Sequence, residues 1–125
     1  DELNRIEAGM NYGWPLVEGR AGDGRFVDPV LQWEPRAASP SGLAAVGDTL
    51  FMAGLRGRAL WIIDTDGGHV VGEASTWLPA HPARLRDAVA APDGSLWVLS
   101  NNTDGRGDPA AGDDRLIRVP LVPAP

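Results

Sequence analysis

Short apolar runs alternate with turn residues through the second half of the chain. Three turns, at Gly47-Asp48, Asp66–Gly68 and Asp93-Gly94, each separate two such runs. Asp and Gly tolerate the positive φ of tight reversals, so the pattern predicts antiparallel strands joined by hairpins. The predicted strands of the first group are Leu43–Val46, Leu50–Ala53, Ala59–Asp64 and His69–Glu73, with a continuation at Trp77–Leu78.

The segment Arg84–Ala91 admits two interpretations. Its apolar residues lie at helical spacing, but Pro82 and Pro92 leave room for barely two turns of helix. We therefore prefer a strand that pairs, through the following turn, with the β-branched and aromatic run Ser95–Ser100. On a strand, Arg84 and Arg86 point to the same face.

The apolar pattern also repeats. Gly47–Ala53 resembles Asp93–Leu99 at an offset of 46 residues. Arg58–Ile63 resembles Asp114–Val119 at a larger offset, because the polar loop Asn101–Asp113 intervenes. A repeat of this period, built from strands that each bury little alone, is typical of a β-propeller.

The repeat predicts how an all-β domain is organised along the chain. Residues 1–42 form a loop-rich region, residues 43–82 a four-stranded blade, and residues 83–125 a final blade with three strands. Two blades alone would leave exposed sheet edges and an unburied face, so we expect them to belong to a larger ring. The chain begins with Asp and not Met, which we also interpret as a sign of a partial or processed protein.

The composition argues against several classes of function. The net charge of −6 disfavours nucleic acid as a partner. The absence of cysteine excludes disulfides and thiolate metal sites, and because all 11 basic residues are Arg there is no lysine for a Schiff base. No apolar run is long enough to span a bilayer.

Oxygen-bearing side chains cluster at the start of the chain. Asp1, Glu2, Asn4 and Glu7 lie within seven residues, ahead of the loop Asn11–Pro15. Hard cations such as Ca²⁺ take several oxygen ligands, including backbone carbonyls. The cluster is therefore either a Ca²⁺ site or an acidic surface turn.

Several segments, taken in order, carry a family resemblance. The chain resembles the C-terminal part of the soluble pyrroloquinoline quinone (PQQ)-dependent aldose sugar dehydrogenases, in the glucose/sorbosone dehydrogenase family. The resemblance implies a six-bladed β-propeller with PQQ and Ca²⁺ on one face, of which this chain supplies roughly the last two blades and a preceding loop region. The segments are Asp1–Asn4, Asn11–Pro15, Ser39–Gly42, Leu55–Gly57, Arg84–Asp87 and Pro92–Gly94.

The resemblance assigns roles to three arginines. Arg84 and Arg86 match family arginines that contact PQQ, whose three carboxylates suit planar guanidinium donors. Arg56 falls where the family has a further basic PQQ contact, although Arg58 is an alternative match. The alternative interpretation is that Arg84 and Arg86 are a pair of surface arginines with no ligand.

The resemblance also implies a metal site, and at one point this chain departs from the family pattern. Glu2 and the backbone carbonyl of Tyr12 match a peripheral Ca²⁺ site, distinct from the ion bound to PQQ. Near the sugar-facing loop, this chain has Ala37 and Ala38 where relatives carry Thr or Ser.

No catalytic residue is assigned within this chain. The family's histidine base and the ligands of the PQQ-bound Ca²⁺ lie upstream, and neither His69 nor His81 matches them. The implied reaction is hydride transfer from sugar C1 to PQQ, with removal of the proton of the anomeric hydroxyl group by the base. The implied partners are an aldose sugar, the remainder of the propeller chain and an external electron acceptor, and the implied location is periplasmic or secreted. The chain alone would be inactive.

The competing hypothesis is a non-catalytic extracellular propeller that acts as a binding module. In that case Arg84 and Arg86 would bind an acidic partner, or pair with Asp87 and Asp93.

Overall fold

A computed structural model of the chain describes residues 1–122, in which it has ten β-strands and no helix. Accordingly, nothing in that range has the helical length and apolar character needed to cross a membrane. The strands are β1 Glu2–Leu3, β2 Leu31–Gln32, β3 Pro40–Val46, β4 Thr49–Gly54, β5 Leu60–Asp66, β6 His69–Val70, β7 Ser75–Trp77, β8 Leu85–Ala90, β9 Leu96–Ser100 and β10 Leu116–Val119.

The first sheet is antiparallel and contains the predicted strands of the first group. β3, β4 and β5 are neighbours in that order, and the far edge of β5 pairs with both β6 and β7. Of the predicted fourth strand His69–Glu73, only His69–Val70 is a strand, and the chain pairs with β5 again at a second piece, β7, which includes Trp77 of the predicted continuation but not Leu78. Gly72 lies between the two pieces with a φ of 68°, a conformation that takes the backbone out of the extended region.

The second sheet holds three antiparallel strands in the order β8, β9, β10. β8 spans Leu85–Ala90, so the strand interpretation of this segment is confirmed and the helical one is wrong. A register shift between Leu85 and Asp87 interrupts the regular alternation of side chains that we assumed for Arg84 and Arg86.

The main core lies between the two sheets, where β3 and β8 run side by side. Alternate residues of β4 and β9 point into it, as the period of two requires, whereas in β8 the register shift puts Leu85 and Ala88 on the same face. The buried members are Phe51, Ala53, Leu60, Ala83, Leu85, Ala88, Leu96 and Val98.

A second core covers the other face of the first sheet. β1 pairs with β2, and Leu3 packs with Ala38, Met52 and Ile63. The rings of Trp33 and Trp61 meet there, with centroids 5.3 Å apart and planes tilted by 55°. The predicted loop-rich region is thus an ordered layer against the first sheet.

The second sheet leaves one face open. Val89, Leu99 and Leu116 are large apolar side chains on three neighbouring strands, and all three are exposed. This apolar face contrasts with the first sheet, both of whose faces are covered within the chain.

The antiparallel topology brings several predicted site residues to one end of the two sheets. β3 and β8 begin at this end, and β4 and β9 finish there. We call it the arginine end and define it by Ser41, Arg56, Arg84, Arg86 and Asp104.

Candidate functional site

Arg84 is buried at the arginine end, with only 8% of its side chain exposed. Its backbone N–H donates to Oδ1 of Asn102 at 3.0 Å, and its Nε donates to the carbonyl of Asn101 at 3.3 Å. Its Nη2 donates to Oδ2 of Asp104 at 3.2 Å. The guanidinium is therefore hydrogen-bonded to the loop between β9 and β10, residues 101–115.

That β9–β10 loop folds directly over the stem of Arg84. A Cβ at Gly107 would lie 2.7 Å from the carbonyl oxygen of Asn102 and 3.0 Å from Cδ of Arg84. Any side chain at position 107 would push the loop off the arginine, so glycine is what permits the close packing.

Arg86 is far more accessible than Arg84, with 45% of its side chain exposed. Its Nη1 donates to Oγ of Ser41 at 3.3 Å, across the boundary between the two sheets. Its Nη2 lies 3.9 Å from Oδ2 of Asp104, close enough for an ion pair but too far for a hydrogen bond. Arg86 consequently retains N–H donors for an external anion.

Asp104 is the carboxylate that the two arginines share. It also accepts hydrogen bonds from Nδ2 of Asn101 at 3.0 Å and from the backbone N–H of Arg106 at 2.9 Å. The bond from Arg106, assisted by the positive charge of Arg84, holds the pKa of Asp104 below its ordinary value. Asp104 therefore remains ionised at neutral pH and offsets one of the two positive charges.

Two further carboxylates anchor the same loop. Asp114 accepts hydrogen bonds from the hydroxyl of Thr103 and the backbone N–H of Asn102, both at 2.5 Å, and these bonds lower its pKa. Asp113 accepts from the backbone N–H of Ala110 at 2.8 Å and from Nδ2 of Asn102 at 2.9 Å, which lowers its pKa as well. The polar composition of this segment was the only sequence signal for these contacts.

The alternative prediction, that the arginine pair binds Asp87 and Asp93, is wrong. Oδ1 of Asp87 accepts from the backbone N–H of Ala88 at 2.9 Å. Asp93 pairs with Arg118 at 2.8 Å, at the opposite end of the second sheet. Asp104, which no sequence pattern indicated, takes their place because the β9–β10 loop folds back over β8.

The third predicted arginine, Arg56, lies on the turn between β4 and β5. It is exposed at the arginine end. Its alternative, Arg58, has a φ of 52°, and its Nη2 lies 3.7 Å from Oδ2 of Asp108. A carboxylate of the β9–β10 loop therefore already offsets the positive charge of Arg58.

Glu2 and Tyr12 meet in a separate cavity of about 430 Å³ in the N-terminal layer. Oε2 of Glu2 accepts from Nδ2 of Asn4 at 3.1 Å, and its Oε1 accepts from the backbone N–H of Gly19. Oδ1 of Asn4 is buried and has no hydrogen-bond partner. An unpaired buried oxygen beside a carboxylate fits the oxygen ligation that Ca²⁺ prefers.

The side chain of Tyr12 is fixed by two hydrogen bonds. Its hydroxyl donates to the carbonyl of Arg5 and accepts from the backbone N–H of Glu7, each at 2.7 Å. The hydroxyl is therefore occupied, and the backbone carbonyl is the oxygen of Tyr12 that remains for a cation. Among residues 1–122, no three His, Cys, Asp or Glu side chains form a metal-binding group, so any ion here would rely on carbonyl and amide oxygens in addition to the carboxylate of Glu2.

The two histidines are not among the residues that define the arginine end. Nε2 of His69 is 3.1 Å from Nη1 of Arg5, at the end of the first sheet opposite the arginines. His81 is exposed and lines a small cavity of about 240 Å³ with Trp77 and Arg115.

Comparison with known proteins gives consistent results. A sequence model of the family described as Glucose / Sorbosone dehydrogenase matches residues 1–118. The PQQ-bound form of the aldose sugar dehydrogenase from Streptomyces coelicolor is similar in structure, with a TM-score of 0.90 and 45% identity over 96% of this chain and 36% of that one.

Two curated relatives are more distant. An uncharacterised protein of Synechocystis sp. is 32% identical over 85% of this chain and 30% of its own length. The aldose sugar dehydrogenase YliI of Escherichia coli K12 is 28% identical over 84% of this chain and 33% of its own length. The chain therefore spans about a third of the length of the relatives that it matches.

Proposed function

The chain belongs to the glucose/sorbosone dehydrogenase family, and we propose that it forms part of an enzyme that oxidises aldose sugars with PQQ as the hydride acceptor. The observation that carries the proposal is the 45% identity over 96% of the chain to an aldose sugar dehydrogenase with PQQ bound. When bound, PQQ supplies the quinone that accepts a hydride from C1 of the sugar, giving a lactone.

In this proposal the arginine end binds the carboxylates of PQQ. Arg86 is the principal contact, because its guanidinium is half exposed and has donors to spare. Arg56 adds a second exposed positive charge on the same end of the sheets. Arg84 fixes the β9–β10 loop and contributes its charge at short range, since its own donors are largely taken.

A peripheral Ca²⁺ is proposed in the cavity of the N-terminal layer. Glu2, the carbonyl of Tyr12 and the unpaired Oδ1 of Asn4 would hold it. The role of these residues is to tie β1 to the loop Asn11–Pro15, and they take no part in the chemistry.

We propose that residues 43–82 and 83–125 are the last two blades of a six-bladed ring. The exposed apolar face formed by Val89, Leu99 and Leu116 supports this, because an uncovered face of this kind in a water-exposed sheet needs a partner. Among the described residues β10 has a neighbouring strand on one side only, which leaves its other edge available for pairing with the remainder of the propeller.

The rest of the reaction machinery is expected outside this chain. A histidine base and the ligands of the PQQ-bound Ca²⁺ would come from the other blades. The aldose substrate, an external electron acceptor and a periplasmic or secreted location complete the proposal.

The proposal is tested with the complete protein in its apo form. Reduction of a redox dye by an aldose should require both added PQQ and Ca²⁺. A protein that reduces no dye with any aldose, and that does not bind PQQ, would support the alternative of a non-catalytic binding module.

A further inference from the structure

Arg86 bridges the two sheets at the arginine end. It projects from β8, in the second sheet, and its Nη1 donates to Oγ of Ser41 on β3, in the first sheet, at 3.3 Å. The register shift of β8 between Leu85 and Asp87 falls at this residue. A bulge re-aims a side chain relative to regular alternation, which accounts for the reach of Arg86 toward the neighbouring sheet.

The other side of the same guanidinium faces the β9–β10 loop. Nη2 of Arg86 lies 3.9 Å from Oδ2 of Asp104. Asp104 is itself held by Arg84, Asn101 and the backbone N–H of Arg106, so its position does not depend on Arg86. Arg86 thus lies between a neutral acceptor on one element and a fixed carboxylate on another.

A half-exposed arginine otherwise has many rotamers, and ordering them opposes binding. Two flanking partners reduce that freedom before an anion arrives. The separation from Asp104 is too long for a hydrogen bond, so the donors of Arg86 are oriented without being consumed.

We propose that Ser41 and Asp104 are positioning residues for Arg86, which they hold ready for an anionic ligand carrying carboxylates. The inference rests on the proposed function, in which that ligand is PQQ. Neither residue needs to contact the ligand, and neither was singled out from the sequence.

The test is a double-mutant cycle in the complete apo-protein, with PQQ binding followed by absorbance titration. Ser41→Ala should weaken binding roughly threefold to tenfold, because Arg86 loses one anchor. In an Arg86→Ala background, Ser41→Ala should have almost no further effect. Ser41→Thr, which keeps the hydroxyl, should bind nearly as the parent does.

Asp104→Asn gives a second arm of the cycle. Because this change also removes a repulsion from the anionic ligand with or without Arg86, the arm is judged by the coupling between the two positions. The effect of Asp104→Asn on PQQ affinity should be less favourable by roughly tenfold when Arg86 is present than in the Arg86→Ala background. Since Asp104 also offsets the buried Arg84, thermal unfolding is measured in parallel. Ser75→Ala, on an exposed strand, and Asp66→Asn, at the opposite end of the first sheet, are the matched controls and should leave binding unchanged.

The outcomes separate the two proposals. Equal losses from Ser41→Ala with and without Arg86, or no loss at all, would overturn the positioning role while leaving PQQ binding by Arg86 intact. The positioning role is supported if Arg86→Ala weakens PQQ binding and if the effects of the Ser41 and Asp104 substitutions on PQQ affinity depend on the presence of Arg86. An Arg86→Ala variant that binds PQQ as tightly as the parent would overturn the contact itself, and the positioning role with it.

Discussion

Gly42 of β3 and Asp87 of β8 lie so close together that no side chain fits between them. A Cβ at Gly42 would lie 2.7 Å from Cα of Asp87, which is nearer than real contacts allow. This contact joins β3 and β8, the edge strands through which the two sheets face each other. It thereby sets the distance between Ser41, next to Gly42, and Arg86, next to Asp87.

Gly42→Ala should therefore destabilise the protein. The obstacle is backbone, so the sheets must move apart, and we expect a loss of about 1–3 kcal/mol in the free energy of unfolding. Urea denaturation measures it. Gly24→Ala is the control, because nothing lies within 4 Å of a Cβ there. Equal stability of the two variants would mean that the sheets are not packed this closely.

The buried Arg84 should contribute more to stability than an exposed arginine does. Arg84→Met keeps much of the stem but leaves Asp104 without its closest cationic partner, so the free energy of unfolding should fall by about 2–3 kcal/mol. Arg25→Met is the matched control. Arg25 pairs with Asp23 at 2.7 Å but is 74% exposed, and its loss should change the free energy of unfolding far less than the loss of Arg84 does. Similar losses at both positions would contradict the buried role of Arg84.

The β9–β10 loop should loosen in acid. The backbone N–H groups of Asn102, Arg106 and Ala110 donate to the carboxylates of Asp114, Asp104 and Asp113. The pKa of each carboxyl is lowered by folding. The stabilisation is therefore complete above the ordinary carboxyl pKa of about 4, and is lost as pH falls below it through the lowered values.

Hydrogen exchange of these three amides measures the effect, as protection that declines below about pH 4. The amide of Leu55 serves as the reference, because it donates to the carbonyl of Ser39 at 3.0 Å and has no carboxylate partner. A parallel decline at Leu55 would indicate general acid unfolding and not release of the loop.

Calcium should stabilise the N-terminal layer through Glu2. Glu2→Ala should lower the melting temperature in buffer with calcium, and should make little difference in chelator, because the bound ion contributes only to the loaded state. Glu73→Ala, at an exposed position, is the control. The same loss for Glu2→Ala with and without calcium would show that no ion depends on this carboxylate.

The sequence predicted most of the strands because their signals are local. Asp-Gly turns, prolines at both ends of Arg84–Ala91 and the offset repeat each act within a few residues, and they located β4, β5, β8 and β9 correctly. The end of the fourth strand at Val70 was not predicted, since the sequence pattern does not reveal the conformation of Gly72.

The site was less predictable because its contacts are distant in sequence. Arg84 and Asp104 are 20 positions apart, and Arg86 and Ser41 are 45 apart. Neither pairing leaves a periodic signal, and the bulge in β8 that redirects Arg86 has no distinctive residue. The family resemblance selected the arginines, but only the folded chain identifies the partners that hold them.

The central claim is that the arginine end of this chain binds PQQ, and an equilibrium titration of the complete apo-protein with PQQ tests it most directly. Charge-assisted bonds contribute about 1.5–3 kcal/mol, so Arg86→Ala should weaken binding by about one to two orders of magnitude. Arg86→Lys should restore only part of the affinity, because it keeps the charge without the planar fork. Arg118→Ala, which removes an arginine paired with Asp93 at the opposite end of the sheet, should bind PQQ as the parent does. An Arg86→Ala protein that binds PQQ as tightly as the parent would contradict the claim and favour the binding-module alternative.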